Sequence, residues 1–300
     1  MNVRKIDTFS GHRDCVYTLI SDASGSSFYS AGGDGLVVKW DMAKPDLGEL
    51  TARIEASVYA IAIDPATGLL WVGQNYEGIQ LIDPVQKKVV ASMKIGAAPI
   101  FDIKIWREKA FIALGDGVIV VVDIPAFAIQ KYLKASTKSV RTLAIRETEN
   151  ELAAGYSDHS VGIFDLETFN LKKRFQAHTN SVFTASYSPD DRYLVTGGRD
   201  AHLRVWDATA QYTPVHAIPA HMFAINHLAF RADGAFLATA SMDKSIKLWR
   251  TDTFRLVKVV DRARHAGHGT SINKLLWLSE GDWLASGSDD RTISVWEFRD

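Results

Sequence analysis

The sequence predicts an all-β fold built from seven copies of one unit of four short strands, and three observations support this prediction. An Asp precedes a Trp by six residues within segments 32–41, 198–207, 241–250 and 288–297. This interval fits a tight turn followed by a strand. The interval recurs at steps of roughly forty residues, which indicates a repeated supersecondary unit. Within each unit, stretches of apolar–polar alternation are separated by turn-forming residues.

The other segments can be aligned on these four, which gives seven units in all. The Asp slot holds, in chain order, Asp34, Tyr76, Asp116, Asp158, Asp200, Asp243 and Asp290. The Trp slot holds Trp40, Ile82, Val122, Phe164, Trp206, Trp249 and Trp296. Every unit therefore places a large or branched apolar side chain at the same depth of its sheet, although Tyr76 breaks the polar pattern of the Asp slot.

The order of elements is the same in each unit. An alternating strand such as 181–187 is followed by a turn such as 188–191 and by a second apolar strand such as 193–198. The Asp turn and the Trp strand come next, and a more variable strand ends the unit. The longest apolar run, 118–124, is far shorter than the ~20 residues that cross a bilayer, so no membrane insertion is predicted.

Paired dipeptides at the ends of the units carry a family resemblance. The first dipeptide reads Gly11-His12, Ala177-His178, Ala220-His221 and Gly267-His268. The second reads Trp40-Asp41, Trp206-Asp207, Trp249-Arg250 and Trp296-Glu297. Over essentially all of its length the chain resembles the WD-repeat β-propellers, whose repeats run from Gly-His to Trp-Asp. The resemblance implies a seven-bladed propeller of four-stranded antiparallel blades.

The chain is expected to form a single propeller over residues 1–300, with its ring closed by the N-terminal strand. Segment 5–12 aligns with 172–178, the last strand of one blade leading into the next. Strand 3–9 should therefore complete blade seven, which leaves no open sheet edge inside the ring and favours a monomer. The repeats are predicted at approximately 10–52, 53–94, 95–134, 135–176, 177–219, 220–266 and 267–300.

Four units share a His, a hydroxyl, an Asp and a Trp at matching places. The sets are His12, Ser30, Asp34, Trp40; His178, Thr196, Asp200, Trp206; His221, Thr239, Asp243, Trp249; and His268, Ser286, Asp290, Trp296. The resemblance implies a buried hydrogen-bond chain within each blade, since a buried indole N–H needs an acceptor. The same residue types build hydrolase triads, but repetition at a structural period argues for a structural network and against catalytic residues.

Units two to four lack this set. Gly96 or Ser136 stands in the His slot, and Ile112 or Ala154 stands in the hydroxyl slot. Two interpretations remain open: these blades are held by apolar burial alone, or this arc has diverged to suit a partner.

Composition and charge narrow the function classes. The chain has 34 basic and 35 acidic residues, which argues against nonspecific nucleic-acid binding. Cys15 is the only cysteine, so no internal disulfide can form. The N-terminus has no signal-peptide pattern, and a cytoplasmic location is expected. Segment 261–269, with Arg262 and Arg264, reads either as a solvated loop or as a contact for an acidic partner. His265 and His268 lack further ligands, so neither a metal nor a cofactor is predicted.

The resemblance also implies which side chains surround the narrow end of the ring. These lie five residues after the Gly-His slot or just before the Asp turn. The predicted partner-binding rim is Tyr17, Tyr59, Phe101, Arg141, Phe183, Asn226 and Asn273, with Arg199, Met242 and Asp289, and Asn75 in unit two. Aromatic and Arg side chains dominate interface hot spots, although such rings can also merely cover the core.

The sequence therefore predicts a non-catalytic scaffold that presents a rigid rim to protein or peptide partners. One alternative is an enzyme with a site at the channel mouth, which would need carboxylates or histidines converging there. The other is nucleic-acid or phosphate recognition through Arg141, Arg199 and the 261–269 loop.

Overall fold

Seven four-stranded antiparallel sheets stand around a central axis as the blades of a propeller. The computed structural model describes residues 1–22, 25–45, 47–278 and 283–299, and twenty-eight strands lie in these ranges. The predicted seven-bladed all-β propeller is confirmed. Among the described residues, no helix is long and apolar enough to cross a membrane.

The strands of blades one to three follow the first strand of the chain. They are β1 (Asn2–Ser10), β2 (Val16–Ser21), β3 (Ser27–Gly32), β4 (Leu36–Asp41), β5 (Glu49–Arg53), β6 (Ile61–Ile63), β7 (Leu70–Gln74), β8 (Gly78–Asp83), β9 (Lys88–Lys94), β10 (Ile100–Trp106), β11 (Lys109–Leu114), β12 (Val118–Asp123) and β13 (Ala128–Lys134). Blade one contains β2–β5, blade two β6–β9 and blade three β10–β13.

Blades four to seven complete the ring. Their strands are β14 (Val140–Arg146), β15 (Glu151–Tyr156), β16 (Ser160–Asp165), β17 (Leu171–Gln176), β18 (Val182–Tyr187), β19 (Tyr193–Gly198), β20 (His202–Asp207), β21 (Thr213–Pro219), β22 (Ile225–Phe230), β23 (Phe236–Ser241), β24 (Ile246–Arg250), β25 (Leu256–Val260), β26 (Ile272–Leu278), β27 (Trp283–Ser288) and β28 (Thr292–Arg299). A single helical turn, α1 (Arg262–His265), precedes blade seven.

Blade seven joins the two ends of the chain. Its strand order is β26–β27–β28–β1, and β1 pairs antiparallel with β28 from Asn2 opposite Arg299 to Ser10 opposite Thr292. The predicted closure of the ring by the N-terminal strand is confirmed, and the observed strand is slightly longer than the predicted 3–9. Each innermost strand packs on the next, and β26 packs on β2.

The hydrophobic core lies between neighbouring blades. Within the described residues, one buried apolar cluster occupies each interface, for example the cluster with Phe111 of blade three and Leu143 of blade four. The clusters continue around the ring to the interface of blades seven and one, where Phe9 and Val16 meet. Because each blade is buried on both faces, the ring is a rigid frame for the side chains that surround its axis.

Candidate functional site

A β-bulge near the start of the innermost strand shapes the mouth of the central channel. The pairing register slips at this point in β2, β10, β14, β18, β22 and β26. A bulge leaves one residue unpaired and turns its side chain away from the regular alternation. The bulged residues are Tyr17, Phe101, Arg141, Phe183, Asn226 and Asn273, and in blade two Tyr59 lies two residues before Ile61, the first paired residue of β6. These seven, the mouth residues, are the set predicted to lie five positions after the Gly-His slot.

The mouth residues line one cavity of about 530 Å³ on the upper face, the end of the ring where the innermost strands begin. Five of them form a continuous series, the mouth arc, from Tyr17 through Tyr59, Phe101 and Arg141 to Phe183. The Tyr17 and Tyr59 ring centroids are 4.8 Å apart, and those of Tyr59 and Phe101 are 5.8 Å apart. The Arg141 guanidinium carbon lies 3.9 Å from the Phe101 centroid and 5.0 Å from the Phe183 centroid. The guanidinium is therefore held between two aromatic faces.

The other predicted rim residues take different positions. Asn226 Nδ2 donates to Ser271 Oγ and to the Ile272 carbonyl, both at 2.9 Å, and thereby joins blade six to blade seven. Asn273 Nδ2 donates at 2.7 Å to Asp289, which lies beside the cavity rather than in its lining. These amides hold the wall together, so less of their hydrogen-bonding capacity is free for a partner.

Three further rim residues complete the predicted set. Arg199 is exposed at the turn between β19 and β20, and Met242 is 50% exposed at the corresponding turn of blade six, both outside the cavity lining. The prediction for Asn75 is wrong, because this side chain is buried. It donates to the Ser57 carbonyl and accepts from the Ile100 N–H, so it connects blades two and three.

Tyr76 is a cavity residue that the sequence interpretation leaves out of the rim. The strand register puts it in the Asp slot of blade two, since Gln74 lies opposite Gly78 across the turn. Its φ of 69° turns the side chain away from the position of an Asp, and it lies in the cavity lining. The departure from Asp in an otherwise polar slot is the signal that could have identified it.

Below the mouth, the residue that follows the bulge connects each of several blades to the next. Its side chain accepts a hydrogen bond from a backbone N–H of the next blade. Asp102 accepts from Leu143 at 2.8 Å, and Thr142 accepts from Ala185 at 3.2 Å. Thr184 accepts from Leu228 at 3.2 Å, and His227 accepts from Leu275 at 3.3 Å. Lys274 occupies the same register position in blade seven and cannot accept such a bond.

Charged side chains meet inside the channel under the mouth. Lys104, two residues beyond Asp102 on β10, places its Nζ 3.5 Å from an Asp102 oxygen. Lys274 lies inside the channel, and the desolvation there, followed by the charge of Lys104, lowers the pKa of Lys274 to about 8. Desolvation also lowers the pKa of His227 well below its usual range, so this imidazole is neutral. Extending the repeat alignment beyond the fifth position would have singled out Asp102, His227 and Lys274.

In blades one, five, six and seven, a hydrogen-bond chain runs from Trp through a hydroxyl and His to Asp. The Trp Nε1–hydroxyl distances are 2.7, 3.0, 3.0 and 2.8 Å in these blades. In the same order of blades, the hydroxyl–His Nε2 distances are 2.7, 2.9, 2.8 and 2.9 Å. The shortest His Nδ1–carboxylate distances are 3.0, 2.9, 2.8 and 2.8 Å. A carboxylate only accepts, so Nδ1 carries the proton and Nε2 accepts from the hydroxyl.

These hydroxyls are sealed inside the blades. Ser30, Thr196, Thr239 and Ser286 are fully buried. A nucleophile must meet its substrate, so this Ser/Thr–His–Asp arrangement has no access for hydrolytic chemistry. Each Asp also accepts a backbone N–H of the loop that follows the His, as Asp34 does from Arg13 at 2.7 Å. The network therefore fixes the loop beside the channel mouth as well as the interior of the blade.

Acidification is expected to destabilise the network blades in two steps. Desolvation lowers the pKa of His178 and His221, so both stay neutral in the folded protein, whereas the unfolded chain binds protons below about pH 6.5. Burial opposes the ionisation of Asp200 and Asp243, but hydrogen bonds led by those from His178 and His221 outweigh it and hold both pKa values far below about 3.9. Stability should therefore fall as pH drops below about 6.5, and again below about 4.

Urea unfolding at pH 7.5, 5.5 and 3.5 measures this dependence. The unfolding midpoint should decrease at each step. A midpoint that is equal at pH 7.5 and 5.5 would contradict neutral, buried histidines in blades five and six.

The middle blades replace the network with other contacts. Ile112 and Ala154, in the hydroxyl slot of blades three and four, are fully buried. In blade four, however, the Ser136 hydroxyl in the His slot donates to Asp158, which also accepts from Ser160 Oγ at 2.5 Å. Blade four therefore keeps a smaller hydrogen-bond network around Asp158 in addition to its buried apolar contacts.

The 261–269 segment is ordered by its own charges. Asp261 caps α1, and its carboxylate pairs with Arg264 at 2.6 Å. This pairing satisfies part of the positive charge that made the segment a candidate for an acidic partner.

The upper face of blade six carries an exposed apolar group, the blade-six patch. Met222 is 83% exposed and Phe223 is 60% exposed in the loop before β22. Met242 lies beside them, because its N–H donates to the carbonyl of Ala224. Isolated apolar side chains are ordinary on a protein surface, but three together beside the channel mouth form a candidate contact area.

Comparison with known proteins agrees with the geometry. A family model described as WD domain, G-beta repeat matches residues 3–41, 169–207, 212–250 and 261–297, and each match contains one complete Trp–hydroxyl–His–Asp set. The chain is 33% identical to the Notchless protein homolog of Arabidopsis thaliana over 60 residues, which is 20% of the chain and 13% of that protein. It is 30% identical to the Small ribosomal subunit protein RACK1z of Arabidopsis thaliana over 111 residues, 36% of the chain and 31% of that protein.

The family assignment follows from the repeats and the fold together. The matched segments cover just over half of the chain, and the similarity to the two curated relatives spans less than a third of the length of either. The matched segments contain the four network blades, and the remaining three blades continue the same ring. The chain belongs to the WD40 family of G-beta repeat propellers.

Proposed function

We propose that this protein is a non-catalytic scaffold that binds a protein or peptide partner on its upper face. The observation that supports the proposal best is the mouth arc, in which four aromatic rings and one guanidinium stand in continuous contact around an open cavity. Aromatic and Arg side chains are the commonest interface hot spots, because they bury large areas with few rotatable bonds.

The rigidity of the ring favours this role. Four of the five arc residues sit on bulges of the innermost strands, which pack on both neighbouring blades. Because the scaffold is already ordered, binding of a partner there costs conformational entropy of the partner only, and less of the favourable binding free energy is lost. The blade-six patch extends the apolar area on the same face.

The carboxylates of the channel support the scaffold over an enzyme that uses a carboxylate pair. Among the described residues that line the mouth cavity, Asp102 is the only carboxylate. One of its oxygens accepts from the Ile103 N–H and the other accepts from the Leu143 N–H. General acid–base catalysis by a pair of carboxylates therefore has no second member at this mouth. Because β1 covers the edge of β28, we also propose that the protein is a monomer when no partner is bound.

A variant with Tyr17→Ala, Phe101→Ala and Phe183→Ala tests the binding face. Each hot-spot truncation is expected to cost ~2 kcal/mol or more of partner binding. The rings are half-buried and stand outside the clusters between blades, so the variant should keep a cooperative melt. The full chain and the variant are compared as baits in a lysate of the source cells, with bound proteins quantified by mass spectrometry.

Tyr132→Ala is the matched control, since Tyr132 is an exposed aromatic on the outer strand β13. At least one protein should be retained by the full chain and by the control but lost by the triple variant. If the triple variant retains the same proteins at the same levels, the partner does not bind at the mouth arc and the proposal is wrong.

A further inference from the structure

Three hydrogen-bond donors in the wall of the mouth cavity have no acceptor among the described residues. They are the guanidinium of Arg141, the ammonium of Lys274 and Nε2 of His227, and all three residues belong to the cavity lining. His227 Nδ1 accepts from the Leu275 N–H, so the proton of this neutral ring is on Nε2. None of the described residues accepts a hydrogen bond from these groups. A donor in a confined polar site that lacks a protein acceptor is open to a ligand.

The lining of the mouth cavity also carries more positive than negative charge. Arg141, Lys104 and Lys274 are cationic, and Asp102 is the single acid among the described residues of this lining. Asp102 lies beside Lys104, at 3.5 Å, and its oxygens also accept two backbone N–H groups. Among the described residues, this lining has no further carboxylate to offset Arg141 and Lys274, and a group that carries two negative charges would balance them.

The topology brings these cations to one space although they come from distant blades. Lys104 is on β10 of blade three, Arg141 is on β14 of blade four, and Lys274 is on β26 on the far side of the ring. A second cavity, of about 770 Å³, continues from the first and shares Asp102, Lys104, His227 and Lys274 with it. The long lysine side chains therefore extend into a channel that is wide enough to admit a small group from above.

We propose that this site binds a phosphate monoester dianion, carried by a phosphorylated side chain of the protein partner, through Arg141, Lys104, Lys274 and the Nε2–H of His227. This inference rests on the proposed function, because the mouth arc would bind the peptide around that side chain. A phosphate offers three terminal oxygens and nearly two negative charges at neutral pH, which match several donors converging from different sides. A carboxylate supplies half the charge and would leave one cation uncompensated.

Anion binding at this site should be coupled to protonation of Lys274. The titratable and charged groups that line the cavity with it are Asp102 and Lys104 on β10, Arg141 on β14, His227 on β22, Tyr17 on β2, Tyr59 before β6 and Tyr76 after β7. With a pKa of about 8, Lys274 is only partly protonated at pH 8 in the free protein. A bound dianion favours its charged form and raises its pKa. Binding at pH 8 should therefore take up a fraction of a proton, because phosphate is mostly dianionic at that pH and releases less than Lys274 takes up.

The test is calorimetry of the full chain at low ionic strength, with inorganic phosphate and with acetate as probes. Phosphate should bind at least tenfold more tightly than acetate at pH 7. At pH 8, the apparent enthalpy should vary with the ionisation enthalpy of the buffer in the sense of proton uptake. Equal affinity for the two anions, or no buffer dependence, would overturn the anion site.

Two variants connect the signal to the residues. Lys274→Met keeps the length of the side chain, and it should weaken phosphate binding at least tenfold and abolish the proton uptake. Lys88→Met, on the exposed outer strand β9, is the matched control and should change neither. Lys274→Met also removes a like charge from the neighbourhood of Lys104, so it should melt no lower than the parent. If it does not fold, Arg141→Gln provides the same comparison of affinities.

The source of the phosphate is decided with peptides. A pool with a central phosphoserine and randomised flanks should bind more tightly than inorganic phosphate, and the same pool with serine should not bind detectably. If the phosphorylated pool binds no better than phosphate itself, the channel takes free phosphate and the partner-borne form is wrong. Loss of the anion site leaves the lysate comparison with the triple mouth variant unaffected, so the two proposals can fail separately.

Discussion

Removal of residues 1–9 is expected to prevent the ring from forming a stable fold. Strand β1 is the outermost strand of blade seven, and it pairs with β28 from Asn2 to Ser10 apart from one register shift after Lys5. Without it, β28 would expose a free edge, and blade seven would lose the contact that Phe9 makes with Phe28 and Trp40 of blade one. Closure is what makes the ring a single cooperative structure.

Phe9 accounts for much of this effect. Its side chain is 1% exposed, and its ring centroid lies 5.4 Å from that of Phe28 and 5.5 Å from that of Trp40. Both partners belong to blade one, so Phe9 bridges the first and last blades. Phe9→Ala alone should cost about 3–5 kcal/mol, the usual range for truncating a buried Phe.

Circular dichroism melting of the purified proteins tests both changes. The truncated chain should show no cooperative transition, or should be insoluble, and Phe9→Ala should melt well below the full chain. Ser10→Ala, an exposed position of the same strand, serves as the control and should melt within a degree or two of it. A truncated chain that melts like the full chain would show that the ring does not depend on its N-terminal strand.

The fold is predictable from the sequence because side chains with specific hydrogen-bond partners recur at fixed positions and mark the strand register. Trp40 and Asp34 are each required by a hydrogen-bond partner, so they stand out against the strands around them. Blades two to four carry fewer such marks. There the register follows from the apolar slot and the spacing, which is enough to place Ile82 and Val122 in fully buried positions.

The site is only partly predictable, for physical reasons that differ between residues. The mouth residues are found because they occupy one position of the repeat. Whether such a side chain faces the cavity or the wall depends on local pairing, as the buried amide of Asn75 shows. The meeting of Lys104 and Lys274 arises only when the ring closes, since strands of blades three and seven then face the same channel. No spacing along the chain encodes that distance.

Thr239→Val is expected to destabilise blade six by roughly 2–6 kcal/mol. Val has nearly the same shape as Thr, so little packing is lost. The hydroxyl, however, accepts from Trp249 Nε1 at 3.0 Å and donates to His221 Nε2 at 2.8 Å. Its removal leaves a buried donor and a buried acceptor unpaired, and each such group costs about 1–3 kcal/mol. Urea unfolding followed by tryptophan fluorescence measures the change. Thr213→Val, at an exposed position of the outer strand β21, is the matched control and should change stability by less than about 0.5 kcal/mol.

The middle blades show why the loss of stability should depend on the hydrogen-bond partners of the hydroxyl and not on the hydroxyl alone. Blade four has Ala154 in the hydroxyl slot and Phe164 in the Trp slot, so no indole N–H there needs an acceptor. Adding Trp249→Phe to Thr239→Val removes the unpaired indole N–H and should therefore cost less than the sum of the two single changes. We expect a coupling of about 1 kcal/mol or more in this double-mutant cycle, as for groups in direct contact. Additive costs would mean that the indole and the hydroxyl stabilise blade six independently, so that the hydrogen-bond chain from Trp249 to Asp243 does not act as a unit.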